Sequence, residues 1–124
     1  MKTLLVLDDE YAVRQSFVDY FEDQLWHVVQ AETAEQALTM LETVQPAAAL
    51  VDIRLPGIDG NTFIRKMIGQ KVNMAFIICS GSPSYRVPDD LQQHKNVSDT
   101  FFRKPVANFD ALEQDVLQAI EMTS

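Results

Sequence analysis

A chain of 124 residues, 47% hydrophobic and 23% charged, is long enough to bury one core without disulfide or metal staples. Its formal net charge of −8 works against binding nucleic acid or an anionic lipid surface, so a basic docking surface belongs to a partner or a further domain. A single cysteine, Cys79, excludes a disulfide framework and, inside an apolar run, reads as a small core residue.

Met1-Lys2-Thr3 ahead of Leu4-Leu5-Val6-Leu7 has the outline of a signal peptide, but Asp8 and Asp9 end the apolar run and no small-residue cleavage site follows. Residues 4–7 therefore read as a strand, continuous in the way of strands buried on both faces of a parallel sheet. No run is long enough to span a bilayer, and the protein is expected in the cytoplasm. After Asp8-Asp9-Glu10, the residues Val13, Phe17, Val18, Tyr20 and Phe21 fall at a helical period, with acids near the start where the helix dipole favours them. Residues 27–30 read as a second strand, and Trp26 just before it as a lid on the core. Thr33-Ala34-Glu35-Gln36 has the form of a capping box, and Ala37, Leu38 and Leu41 continue the helix it opens.

Residues 48–51 make a third strand that ends at Asp52. Pro56-Gly57 and Asp59-Gly60 mark a loop by their turn chemistry, and Phe63, Ile64, Met67 and Ile68 give a third helix. Residues 74–79 are a fourth strand and 100–102 a fifth. The last helix opens near Asn108 and carries Phe109, Leu112, Val116, Leu117 and Ile120 at helical spacing. Between 82 and 99, Pro83 and Pro88 each remove a backbone donor, and only Leu91 is a clear inward anchor before the polar run 92–96. A fourth helix of about two turns is predicted there, after a long irregular loop and more mobile than the others. The unbroken alternation predicts one domain over residues 1–124, a doubly wound α/β sheet with its ligand site at the carboxyl ends of the strands.

The chemically useful residues stand where strands end. Asp8 and Asp9 follow the first, Asp52 the third, Ser80 the fourth and Lys104 the fifth, and a parallel sheet brings these ends to one edge. Three carboxylates meeting there raise one another's pKa, a conflict that a hard divalent cation resolves. All-oxygen ligands suit Mg²⁺ rather than zinc. A cation beside a carboxylate, a lysine and a hydroxyl can perform phosphoryl transfer. Lys104 would neutralise charge on the equatorial oxygens, Ser80 would donate a hydrogen bond to one, and a carboxylate oxygen would attack to give an acyl phosphate. Each element alone is ordinary turn, cap or loop chemistry; the conjunction, in this order, is specific.

The segments Leu4-Leu5-Val6-Leu7-Asp8-Asp9-Glu10, Leu50-Val51-Asp52-Ile53-Arg54-Leu55-Pro56-Gly57-Ile58-Asp59-Gly60, Ser80-Gly81 and Phe101-Phe102-Arg103-Lys104-Pro105 resemble the receiver domain of two-component response regulators. The resemblance covers essentially the whole chain. It implies a flavodoxin-like five-stranded parallel sheet of order 2-1-3-4-5 with helices on both faces, and a phosphorylation-dependent switch that catalyses only its own phosphorylation and dephosphorylation. It implies that Asp52 accepts phosphate from a histidine kinase or phosphotransfer protein. Asp9 and Asp52 would ligate Mg²⁺ directly, with the backbone carbonyl of Arg54 as a third ligand and Asp8 acting through water. Ser80 and Lys104 would contact the phosphoryl oxygens, and Phe101 matches the aromatic switch position.

Two features depart from the commoner pattern: Phe101 is often tyrosine, and His94-Lys95-Asn96-Val97-Ser98 replaces the usual small-residue approach to the fifth strand. A receiver-like interaction module acting without phosphate is the alternative, disfavoured because such a module has no use for three clustered acids. A flavodoxin-like cofactor binder would need a glycine- and hydroxyl-rich loop after the first strand. A haloacid-dehalogenase-type phosphatase would need a second aspartate where Glu10 stands. With the chain ending three residues after Glu121, output is expected from a partner protein or from an output domain outside this sequence.

Overall fold

The structure, a computed structural model, describes residues 1–123. Its elements run β1 (Thr3–Leu7), α1 (Tyr11–Asp23), β2 (His27–Ala31), α2 (Ala34–Met40), β3 (Ala48–Asp52), α3 (Gly60–Gly69), β4 (Ala75–Ser80), α4 (Asp89–Gln92), β5 (Val97–Arg103) and α5 (Phe109–Thr123). The strands form one parallel sheet of order β2-β1-β3-β4-β5. β3 and β4 are buried along their whole length and β1 from Leu4 onward, whereas β2 and β5, with mixed polar sequence, take the edges. That division follows from chemistry, since a strand covered by helices on both faces is apolar along its run, and β3 and β4 admit polar side chains only at their carboxyl ends, Asp52 and Ser80.

Alternate residues feed the two faces. Leu4, Val6, Leu50, Ile77 and Cys79 pack with Phe17, Phe21, Trp26, Leu112 and Val116 from the α1–α5 side. Leu5, Leu7, Val51, Phe76 and Ile78 pack with Ala34, Ala37, Phe63, Ile64, Met67 and Leu91 from α2, α3 and α4. Helix starts are set by local oxygen acceptors. Thr33 Oγ1 accepts from the Gln36 N–H at 3.0 Å, Asp59 Oδ1 from Thr62 at 2.8 Å, and Asn108 Oδ1 from Ala111 at 2.9 Å. The α2 box closes one residue early, because Gln36 Oε1 takes the Glu32 N–H at 2.8 Å rather than that of Thr33.

Two local readings need correction. α4 has four residues rather than two turns: Leu91 is its one buried side chain, too little apolar area to carry a longer helix. β5 begins at Val97, not at residue 100. Val97 pairs with Phe76 and is buried, a bulge follows, and the Ser98 Oγ accepts the Thr100 N–H at 3.1 Å, so a polar edge strand does not need unbroken apolar character. Asn96, the last residue of the polar run 92–96, is buried, and its Nδ2 donates to the carbonyls of Val72 at 3.2 Å and Met74 at 3.0 Å. No helix among the described residues is long and apolar enough to cross a membrane.

Candidate functional site

The register of the sheet brings the strand ends level: Leu7 stands beside Val51, Asp52 beside Cys79, and Ser80 beside Arg103. Asp8 continues the β1–β2 ladder by one bond, its N–H reaching the Ala31 carbonyl at 3.1 Å. Lys104 does the same for β5, its N–H reaching the Ser80 carbonyl at 3.0 Å. At the end of β3, Gly60 opens α3 directly against the backbone; a Cβ there would run into the Asp52 carbonyl oxygen and come within 2.9 Å of Ile53 Cα. Only glycine lets α3 start this close to the aspartate.

The side chains meet at one ammonium group. Lys104 Nζ lies 3.0 Å from Asp8 Oδ2, 3.3 Å from Asp52 Oδ2 and 3.5 Å from Glu10 Oε1. Asp8 Oδ1 also accepts the Glu10 N–H at 2.9 Å. Asp8 and Asp52 are buried, at 2% and 4% exposure, while Asp9 and Glu10 lie exposed beside them. Burial first, and the charge of Asp8 second, push the Asp52 carboxyl up to about 6 from an ordinary 3.8, with Lys104 pulling it back. Asp8 is likewise raised by burial, against the Glu10 amide and Lys104. Burial alone would lower the Lys104 ammonium, but the two carboxylates outweigh it and its pKa is raised. Mutual repulsion, expected from the sequence as the main cause, is therefore secondary to desolvation.

The tightest group of carboxylates is Asp8, Asp9 and Glu10, whose ligand oxygens lie within 4.8 Å of one another. Oxygen-only donors, two of them open to water, on a site where burial already disfavours the carboxylate charge, fit a hard divalent cation that keeps several waters. Asp52 joins through Lys104, so the structure brings Asp8, Asp52 and Lys104 together and leaves Asp9 on the rim. Glu10 was visible in the sequence only as a neighbour of the acid pair. Ser80, buried at the end of β4, accepts the Ser82 N–H on its Oγ at 3.1 Å, which leaves its own O–H to donate.

Beyond this centre, Ser82, Tyr85 and Arg103, which the sequence did not single out, join Arg54 and Phe101 in a second set of contacts. Arg54 Nη2 donates to Ser82 Oγ at 3.1 Å, and Arg103 Nη1 donates to the Ser82 carbonyl at 2.9 Å. Phe101 is half-buried. Its ring lies 5.3 Å from that of Tyr85, edge-on, and the Arg103 guanidinium is 5.0 Å from its centroid. Tyr85 in turn donates its hydroxyl to Asn61 Oδ1 on α3 at 2.8 Å. A lone aromatic between Pro83 and Pro88 was the one sequence signal for Tyr85. Cys79 is a core residue whose thiol is pushed up by burial. Trp26 is also buried, as expected of a lid, with its Nε1 donating to Glu113 at 2.8 Å.

The family model of the response regulator receiver domain matches residues 4–117. The chain belongs to that family. This receiver is 29% identical over 103 residues to sporulation initiation phosphotransferase F of Bacillus subtilis, covering 82% of this chain and 81% of the relative. It is 30% identical over 123 residues to response regulator Rre1 of Synechocystis, covering 95% of this chain but 49% of the relative. Among solved structures it is similar to a receiver domain protein of Methanospirillum hungatei, with TM-score 0.82, 26% identity and coverage of 98% and 96% of the two chains. It matches response regulator TrrA of Thermotoga maritima, solved in complex with Mg²⁺-BeF, at TM-score 0.82 and 25% identity over 96% and 99%. The receiver thus spans most of the phosphotransferase and about half of Rre1. Its membership makes it a regulatory domain of two-component systems.

Proposed function

We propose that this receiver is a phosphorylation switch of a cytoplasmic phosphorelay, with Asp52 as phosphoacceptor. The observation that carries the reading is the single Lys104 ammonium shared by two buried carboxylates, Asp8 at 3.0 Å and Asp52 at 3.3 Å. Such a cation is poised to stabilise charge on a phosphoryl group as Asp52 is phosphorylated. An Asp52 oxygen attacks the phosphorus of a phosphohistidine on a histidine kinase or phosphotransfer protein. The P–O bond forms as the P–N bond breaks, and the imidazole leaves with the electron pair.

Asp9, Asp52 and the Arg54 carbonyl would hold Mg²⁺, with Asp8 reaching it through water; when bound it supplies charge neutralisation at the phosphoryl oxygens. Lys104 keeps its bond to Asp8 and turns its remaining donors from the Asp52 carboxylate to the acyl phosphate. Ser80 donates its free O–H to a phosphoryl oxygen. That movement draws on the backbone after β4, where Ser82 is bound to Ser80 Oγ, Arg54 and Arg103. Tyr85, three residues on, packs on Phe101, and the two rings carry the change to the α4–β5 surface, where a partner protein or an output domain reads it.

Treatment of the full chain with acetyl phosphate and Mg²⁺, followed by intact-protein mass spectrometry, tests the assignment. One added phosphoryl group in the wild type and none in Asp52→Asn is the expected result. Equal labelling of both proteins would sink the reading.

A further inference from the structure

Arg14 is the buried cation that this mechanism does not use. It sits in the second turn of α1 with 5% of its surface exposed, and arginine is seldom buried so deeply unless paired. Its nitrogens reach three acceptors in two segments. Nη1 donates to the Asp8 carbonyl at 2.8 Å, Nε donates to Gln30 Oε1 on β2 at 2.9 Å, and Nη2 lies 3.6 Å from Glu32 Oε1 just beyond β2. The Tyr11 ring, 5.6 Å from the guanidinium carbon, covers it on the solvent side.

We infer that Arg14 is a positioning residue for the acidic loop: its guanidinium pins the Asp8 backbone to strand β2 and so sets the carboxylates of Asp8 and Asp9 for a cation. The inference rests on reading that loop as a Mg²⁺ site. Asp8 is held by both peptide groups, its N–H on the Ala31 carbonyl at 3.1 Å and its carbonyl on Arg14. With its own backbone bound at both ends, the Asp8 carboxylate is aimed by the Glu10 N–H at 2.9 Å and Lys104 at 3.0 Å. The planar fork is what spans three acceptors at once; a lysine ammonium carries equal charge on one atom and lacks that reach.

Positioning and charge predict opposite signs. As a mere positive charge near the acids, Arg14 would oppose Mg²⁺, and removing it would tighten binding. As a clamp, it favours binding, and removing it loosens the loop; partners one shell out from a metal typically contribute about tenfold or more in affinity.

The test uses Arg14→Met, Arg14→Lys and Gln30→Leu in the full chain. Urea melts establish that each is folded, and amide shifts of residues 8–10 follow Mg²⁺ titration. The dissociation constant is expected to rise about tenfold in both Arg14 variants and less in Gln30→Leu, which leaves the Asp8 contact in place. Hydrogen exchange without metal should accelerate at the Asp8 and Glu10 amides while α5 is unchanged. Folded Arg14→Met binding Mg²⁺ as tightly as wild type, or tighter, overturns the inference, as does unchanged exchange at both amides. If Arg14→Met does not fold, Arg14→Lys and Gln30→Leu decide by the same two measurements. A wild type that shows no Mg²⁺ response would instead defeat the cation reading of the loop, and the metal-free exchange would still decide whether Arg14 is a clamp.

Discussion

On the face covered by α1 and α5, helices of 13 and 15 residues close over the sheet with a connected set of rings: Phe17 to Phe109 at 5.9 Å, Tyr20 to Phe109 at 5.3 Å, and Phe21 to Trp26 at 5.4 Å. A polar seam locks them, with Tyr20 donating to Asp110 at 2.6 Å and Trp26 to Glu113 at 2.8 Å. On the opposite face, the four-residue α4 has one buried side chain, Leu91, and an exposed pair of hydrogen bonds from Arg65 to Asp90 at 2.9 and 3.1 Å. Exposed ion pairs of this kind contribute little. The first face is expected to behave as scaffold and the region of α4 to open locally at lower cost. The chain from Ser80 at the end of β4 runs directly into the segment that leads to α4. Trp26, at the amino end of the sheet, belongs to the scaffold, so its fluorescence reports on α1 and α5 rather than on the carboxylates.

The largest expected effect sharpens that contrast from the scaffold side. Phe21 is fully buried among rings, and Phe21→Ala is expected to cost about 3–5 kcal/mol of global stability. Urea unfolding measures it, and protection from hydrogen exchange should fall throughout the sheet together. A loss confined to α1 would break the comparison.

Leu91→Ala is the matching substitution on the other face. Although Leu91 is only 1% exposed, a one-turn helix can detach without unfolding the sheet, so a global loss of about 2 kcal/mol, the low end for such truncations, is expected. In the wild type, amides of residues 84–96 should exchange faster than those of α5, and the variant should bring their protection close to zero. Protection there equal to that of α5 would contradict the division into scaffold and mobile surface.

The smallest effect arises where the two faces meet. Because burial raises the Asp52 carboxyl to about 6, the metal-free folded state holds a proton that the unfolded chain has already released. Stability contributed by this group is thus highest at low pH and falls as pH rises from about 4 to about 6, with the cost complete above that window. Asp52→Asn removes the cost, and is expected to stabilise the metal-free protein at pH 7 by about 1–2 kcal/mol, less than the full shift because Lys104 loses a partner. The advantage should shrink toward about pH 4 in paired urea melts. An unchanged difference between the two proteins across that range would show that Asp52 is not the group responsible.

Strand and helix order, the apolar runs of β3 and β4 ahead of their last residues, and the placement of Asp8, Asp52, Ser80 and Lys104 at strand ends were legible because periods of 2 and 3.6 residues and turn chemistry are local signals. Thr33, Asp59 and Asn108 mark their helix starts for the same reason, each acting on an amide three residues away. The tertiary structure alone decided what those ends touch. Glu10 meets Lys104 across 94 positions and Tyr85 meets Asn61 across 24, pairings created by the crossover of the sheet and written in no short window. It also decided that Arg14, on a helix that sequence reads as amphipathic, turns its charge inward, because the acceptors that make its burial tolerable come from β2 and the Asp8 carbonyl. The length of α4 fell between the two: its prolines and its single anchor announced a weak helix, but how far it ran depended on the area that α3 and β5 left for it to cover.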